Sequence, residues 1–222
     1  MKKILFCASL GIALISCKDE KANKTTYIIS KDTAGTAKND TSSMTVNSTT
    51  PEAPMDSASM MKSWQAYMTP GQPHKMMAMG NGTWDEEVKM FMSPGAPPEI
   101  MKATATNSMT LNGLYQVSVT KGSYNGMPFE GRSTTGYNNM TKKYQNSWID
   151  NMGSGMINME GTYDDATKTI SLSGKETDPM TGKENPVRQT MKFVDDKNQY
   201  IEMFATRNGK EDKTMEIRLT KK

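Results

Sequence analysis

From Trp84 to the C-terminus, apolar and polar residues alternate with a period of two, as strands do when one face meets an interior and the other meets water. Trp84, Val88, Met90 and Met92 alternate with Asp85, Glu87 and Lys89, and Met101, Ala103, Ala105 and Met109 with Lys102, Thr104, Thr106 and Ser108. The pattern continues through Tyr115, Val117 and Val119; Phe129, Gly131 and Tyr137; Tyr144 and Trp148; and Ile157, Met159 and Tyr163. It resumes at Ile170 and Leu172, at Val187, Met191 and Phe193, along Tyr200 to Thr206, and at Met215, Ile217 and Leu219. The count is about ten strands. Between them lie Asn112-Gly113, Asn125-Gly126, Asn138-Asn139, Asp164-Asp165, Asp178-Pro179-Met180-Thr181-Gly182 and Asn208-Gly209. Links this short join antiparallel neighbours. A meander of that many strands hides both edges best by closing, which predicts an all-β antiparallel barrel; the alternative is a two-sheet sandwich with Greek-key crossovers.

The chain before the strands divides into three parts. Met60, Met61, Trp64, Tyr67 and Met68 recur at helical spacing behind Ser57, and a second short segment, Pro73 to Met79, carries His74, Met76, Met77 and Met79. Residues 57–80 therefore read as a short helical lid packed on the barrel, and 57–222 as one domain. Residues 17–56 are rich in Lys, Thr, Ser, Asn and Ala, a composition that buries too little to order itself, so they read as a disordered tether. Residues 1–16 read as a lipoprotein signal peptide: Lys2 and Lys3 precede an apolar run from Ile4 to Ile15, too short to span a bilayer. Leu14-Ile15-Ser16-Cys17 resembles the bacterial lipobox, which implies cleavage before Cys17 and acylation of its thiol. Several acyl chains make a stable anchor. The expected location is the bacterial cell envelope, at the outer membrane, on its periplasmic or surface face. Lys18-Asp19-Glu20 resembles the surface-export signal of Bacteroidetes lipoproteins, and Asp32-Thr33-Ala34 and Asp56-Ser57-Ala58 resemble their O-glycosylation motif.

Charge and composition narrow the chemistry. Lys and Arg number 27 against 24 Asp and Glu, and Lys2 and Lys3 leave with the signal peptide, so no concentrated basic face for nucleic acid is expected. A single histidine and two cysteines are too few for a multi-histidine metal centre, a four-cysteine zinc site or a disulfide framework. If the lipobox is processed, Cys7 is lost and Cys17 is covered, leaving no free thiol. The 22 methionines fall mostly on alternating strand faces, where a flexible side chain fills gaps or lines an adaptable pocket. Their thioethers would also suit Cu(I).

Alternation sets Glu86, Asn107, Asn146 and Asp150 among the inward apolar residues, where each needs a hydrogen-bond partner from protein, water or ligand. Trp84, Met109, Tyr115, Phe129, Tyr137 and Trp148 are the expected wall residues, with His74 at the mouth. His74 has no second histidine or neighbouring carboxylate to make a haem or catalytic site. Gly82-Thr83-Trp84 after a short helix resembles the Gly-x-Trp entry of lipocalin-type barrels. More specifically, the ordered series His74-Lys75, Gly82-Thr83-Trp84, Pro94-Gly95-Ala96-Pro97-Pro98, Met127-Pro128-Phe129-Glu130-Gly131, Gly136-Tyr137, Trp148-Ile149-Asp150-Asn151-Met152-Gly153, Glu160-Gly161-Thr162-Tyr163-Asp164 and Asp178-Pro179-Met180-Thr181-Gly182-Lys183 resembles the bacterial family called domain of unknown function 1579. The resemblance implies a lipocalin-like (calycin-type) barrel, with no established activity and no catalytic residue to carry over. The reading that follows is non-catalytic binding of a small, largely apolar ligand, with no cofactor implied. The alternative is a filled barrel acting as a structural or protein-interaction lipoprotein, with the partner unidentified; an enzyme using Glu86, Asp150 or His74 is the third class.

Overall fold

Asp56 caps the first helix: one carboxylate oxygen accepts hydrogen bonds from the Ala58 and Ser59 amides, both at 3.0 Å. This computed structural model describes residues 56–93 and 95–222. The expected signal peptide, the acylated Cys17 and all of the tether except Asp56 lie outside the described residues. Helix α1 (Ser57–Met68) stops at Thr69-Pro70, and α2 (Gln72–Met79) starts with Pro73 in its first turn, where a missing N–H costs nothing.

Ten strands follow: β1 (Gly82–Met90), β2 (Glu99–Thr110), β3 (Tyr115–Tyr124), β4 (Met127–Asn138), β5 (Lys143–Asp150), β6 (Ile157–Asp164), β7 (Thr169–Thr177), β8 (Glu184–Phe193), β9 (Asn198–Arg207) and β10 (Lys210–Lys221). Each pairs antiparallel with its chain neighbour, and β1 pairs with β10, so the sheet closes into a barrel and the sandwich alternative falls. Positive φ angles at Asn125 and Gly126, and again at Asn208 and Gly209, form the tight hairpins that the Asn-Gly pairs announce.

Opposed residues of an antiparallel pair share a face, so the register carries the inside of the barrel from strand to strand. Starting from Trp84, which is entirely buried, the inner row runs to Ala105, Thr120, Gly131 and Asp150. A second runs from Asn107 to Ser118, Ser133, Trp148 and Ile157, and a third from Met109 to Gln116, Thr135, Asn146 and Met159. Tyr115 opposes Gly136, which opposes Gln145; this row is the outer face.

Tyr115 is therefore not a wall residue. On β3 the inward positions are Gln116, Ser118, Thr120 and Gly122, while Val117 and Val119 stand outward. The expectation assumed that the apolar set faces in; on β3 the inward set is polar or small, and β-branched residues suit the outer pleat equally well.

The lid is also smaller than expected. Only α2 contributes buried side chains, His74 and Met77, whereas no residue of α1 is buried. What holds α1 to the barrel is its C-terminal backbone: Asn139, in the β4–β5 turn, donates through Nδ2 to the carbonyls of Ala66, Tyr67 and Thr69.

Candidate functional site

The two ends of the barrel differ. At one end α2 is clamped by side chains from four strands reaching its last carbonyls. Trp84 Nε1 and Asn107 Nδ2 both donate to the Gly80 carbonyl, at 2.8 and 3.1 Å, and Gln116 Nε2 donates to that of Met77 at 2.5 Å. Lys221 reaches the Met79 carbonyl at 3.4 Å, its ammonium 5.4 Å from the centroid of a Trp84 ring. A lysine at the negative end of a helix adds attraction to the hydrogen bonds.

His74 completes this stopper. It is 2% exposed, its Nδ1 accepts from the Gly71 amide at 3.0 Å, and its ring meets Tyr137 edge to face at 5.9 Å; Tyr137 meets Tyr144 in the same manner at 4.9 Å. Burial holds the imidazole below its ordinary pKa, opposed by the Tyr137 carbonyl. Nε2 is buried without a hydrogen-bond partner, as is Asn107 Oδ1. His74 thus packs on the lid helix α2 at the end of the barrel that this helix covers. The last residues of β1, β3, β5, β7 and β9 and the first of β2, β4, β6, β8 and β10 lie at the opposite end.

Between the ends, the apolar side chains form three separate clusters. One joins Met77, Tyr144, Met159, Ile170, Leu172, Val187 and Ala205; another is built on Trp84, Ala105 and Leu219; the third gathers Val88, Met101 and Ala103 with Phe129 and Met215. Met109 and Tyr137 pack against the first. The inner faces of β3, β4 and β5 are different: Gln116, Ser118, Thr120, Ser133, Thr135 and Asn146 form a polar seam, with Asn146 Nδ2 donating to Thr135 Oγ1 at 2.8 Å. Ser118, Ser133, Asn146 and Trp148 are half-buried, although the sheet itself screens inward side chains from the outside.

Trp148 lies over Gly131, where a Cβ would meet its ring at 2.3 Å, so glycine is required for that approach. Its Nε1 donates to Asp150 Oδ2 at 2.7 Å, and the other Asp150 oxygen accepts from the Met152 amide at 2.9 Å. Asp150 thus orients Trp148 and ties down the loop after β5. Glu86 is 8% exposed, between Ala103 and Leu219 on the neighbouring strands. Burial pushes its carboxyl up to about 7, against a hydrogen bond from Thr120 that favours the ionised form. The two carboxylates have separate partners and do not form an acid–base pair.

Of the residues singled out from the sequence, Glu86, Phe129, Trp148 and Asp150 line the inner face, Trp84, Asn107 and His74 build the stopper, and Tyr115 stands outside. Apart from Asn146, the polar seam was missed. Its signal was present, since Gln116, Ser118 and Thr120 alternate with valines, but period two does not say which face is inner.

This geometry is that of a lipocalin-like barrel, stoppered at one end, with a seam of hydroxyl and amide groups opposite an apolar wall. The chain belongs to the family described as "Protein of unknown function (DUF1579)", whose model matches residues 69–221. Among solved structures, the crystal structure of Rv2717c from M. tuberculosis is similar in fold, with a TM-score of 0.53 at 11% identity over 69% of this chain and 99% of that one. No curated protein matches the sequence.

Proposed function

We propose that this protein is a membrane-anchored envelope lipoprotein that binds a small, largely apolar molecule inside the barrel without chemically changing it. The observation that supports the reading most is the half-buried polar seam. Ser118 and Ser133 are short, half-buried hydroxyl residues on the inner face in the row of Trp148, and a half-buried polar seam calls for water or a ligand's polar group. Ten strands enclose more room than the eight that side chains alone can fill. The ligand's apolar body lies against Ile201, Met203 and Ile217, and its polar group meets Ser133, Asn146 or the Glu86 carboxyl. It enters from the end opposite α2, whose clamped carbonyls oppose opening of the stopper.

Native mass spectrometry of the mature protein, purified under mild conditions, tests this. A bound mass is expected that disappears in Ser133→Phe, which sets a large ring opposite Trp148 while the far-ultraviolet spectrum is kept. An identical, ligand-free mass from both proteins after several mild extractions would overturn the reading in favour of a filled barrel.

A further inference from the structure

Helix α1 carries the largest unsatisfied apolar surface at the stoppered end. Met60, Met61, Trp64, Tyr67 and Met68 are 49, 70, 55, 42 and 56% exposed. At 100° per residue they fall within an arc of about 120°, with Ala58, Lys62, Gln65 and Ala66 on the other side. Trp64 and Tyr67 stand edge to face, ring centroids 6.1 Å apart. Exposed Met140 follows Asn139, which holds the C-terminus of α1, and exposed Leu111 lies two residues before Gly113, where a Cβ would come within 3.9 Å of Pro70. Leu111 and Met140 thus stand in the two turns next to the C-terminal end of α1.

Charge favours one kind of occupant. From Ser57 to Trp84 the chain has no acidic residue, although it holds 24 in all, and it carries Lys62 and Lys75. Neither lysine has a carboxylate partner among the described ion pairs. An apolar stripe bearing tryptophan and tyrosine, flanked by lysine and free of carboxylates, matches the boundary between acyl chains and phosphate headgroups. With 12 residues α1 is about 18 Å long, too short to cross a bilayer, so it lies along one.

We propose that α1, with the adjoining Leu111 and Met140, is a membrane-contact surface that seats the barrel stopper-down on a lipid bilayer, leaving the opposite end facing away. This rests on the anchored-lipoprotein reading for its biological setting. The 39 residues from Lys18 to Asp56 would give a flexible tether a reach of about 31 to 37 Å, keeping α1 near the bilayer that holds Cys17. At the resulting effective concentration, a weak interfacial affinity suffices.

The test separates helix from anchor. The chain from residue 18 onward lacks Cys17 but keeps the compact unit that starts at Glu52. It is mixed with vesicles of phosphatidylethanolamine and phosphatidylglycerol, and binding is read by co-sedimentation and by quenching with bilayer-brominated lipid, the Trp64 share being the quenching that Trp64→Phe removes. Saturable binding with Trp64 quenched is expected, weakened roughly tenfold or more in Met61→Ser/Trp64→Ser and unchanged in Met180→Ser at the opposite end. The wild-type far-ultraviolet spectrum and its retention in the double variant certify the fold. No sedimentation, equal binding by the double variant, or a lipid-free dimer that buries Trp64 instead would each overturn the proposal. Mass analysis of the mature N-terminus reports on acylation separately, so failure of the anchor and failure of the helix contact are distinct results.

Discussion

Replacing Glu86 by Gln should remove a specific part of the pH dependence of stability. The carboxyl is raised from 4.5 to about 7, chiefly by burial. The folded state therefore holds the proton more tightly than the unfolded state does. This contribution is fully present below 4.5 and is lost as pH rises through about 7, the reverse of the usual carboxylate. A separation of about 2.5 between the two values corresponds to about 3 kcal/mol in all, of which about 2 to 3 kcal/mol falls between pH 5 and pH 8. Urea unfolding of both proteins across that range, followed by far-ultraviolet circular dichroism, gives the difference directly, because other titrating groups cancel between them. Wild type should lose ground steadily to Glu86→Gln as pH rises. Thr120→Val should move the loss to higher pH, since the Thr120 hydrogen bond opposes the shift. Parallel stability profiles for wild type and Glu86→Gln would refute the reasoning, and a carboxyl resonance of Glu86 titrating near 4.5 would refute it independently.

Gly131→Ala should force the Trp148 ring aside, because the new Cβ would sit 2.3 Å from it. A cost of about 1 to 3 kcal/mol is expected, with a change in tryptophan emission as the bond to Asp150 breaks; an unchanged spectrum would mean the ring does not lie there. Trp84→Phe removes a donor to the Gly80 carbonyl and leaves a gap beside Ala105 and Leu219. Stability should fall by about 2 to 4 kcal/mol, and amide exchange should accelerate first in residues 72–79; uniform acceleration would argue that the clamp is not local.

The ten strands and their turns were legible because each needs only local information: a period of two and residues that tolerate positive φ, as at Asn125-Gly126. Ring closure was inferable from the need to hide edges. The partners of polar residues were not legible. Asn107 and Asp150 looked like ligand-facing groups, yet one holds the Gly80 carbonyl and the other holds Trp148, and such contacts depend on what folding brings together. Tyr115 was misplaced because the inward face of β3 is the polar one, Gln116, Ser118 and Thr120, so the apolar face did not identify the interior. Helix α1 posed the same ambiguity, since one stripe suits a protein core and a lipid surface equally.

Closure by β1 and β10 has a consequence for biogenesis. Trp84 opposes Lys221, so the seam is sewn by the earliest and latest strands to be made. Every shorter nascent chain keeps two raw borders able to pair with strangers. Chaperoning must therefore last until the final strand has emerged, and a ribosome that stalls within β10 releases a product prone to aggregate rather than a slightly weakened one.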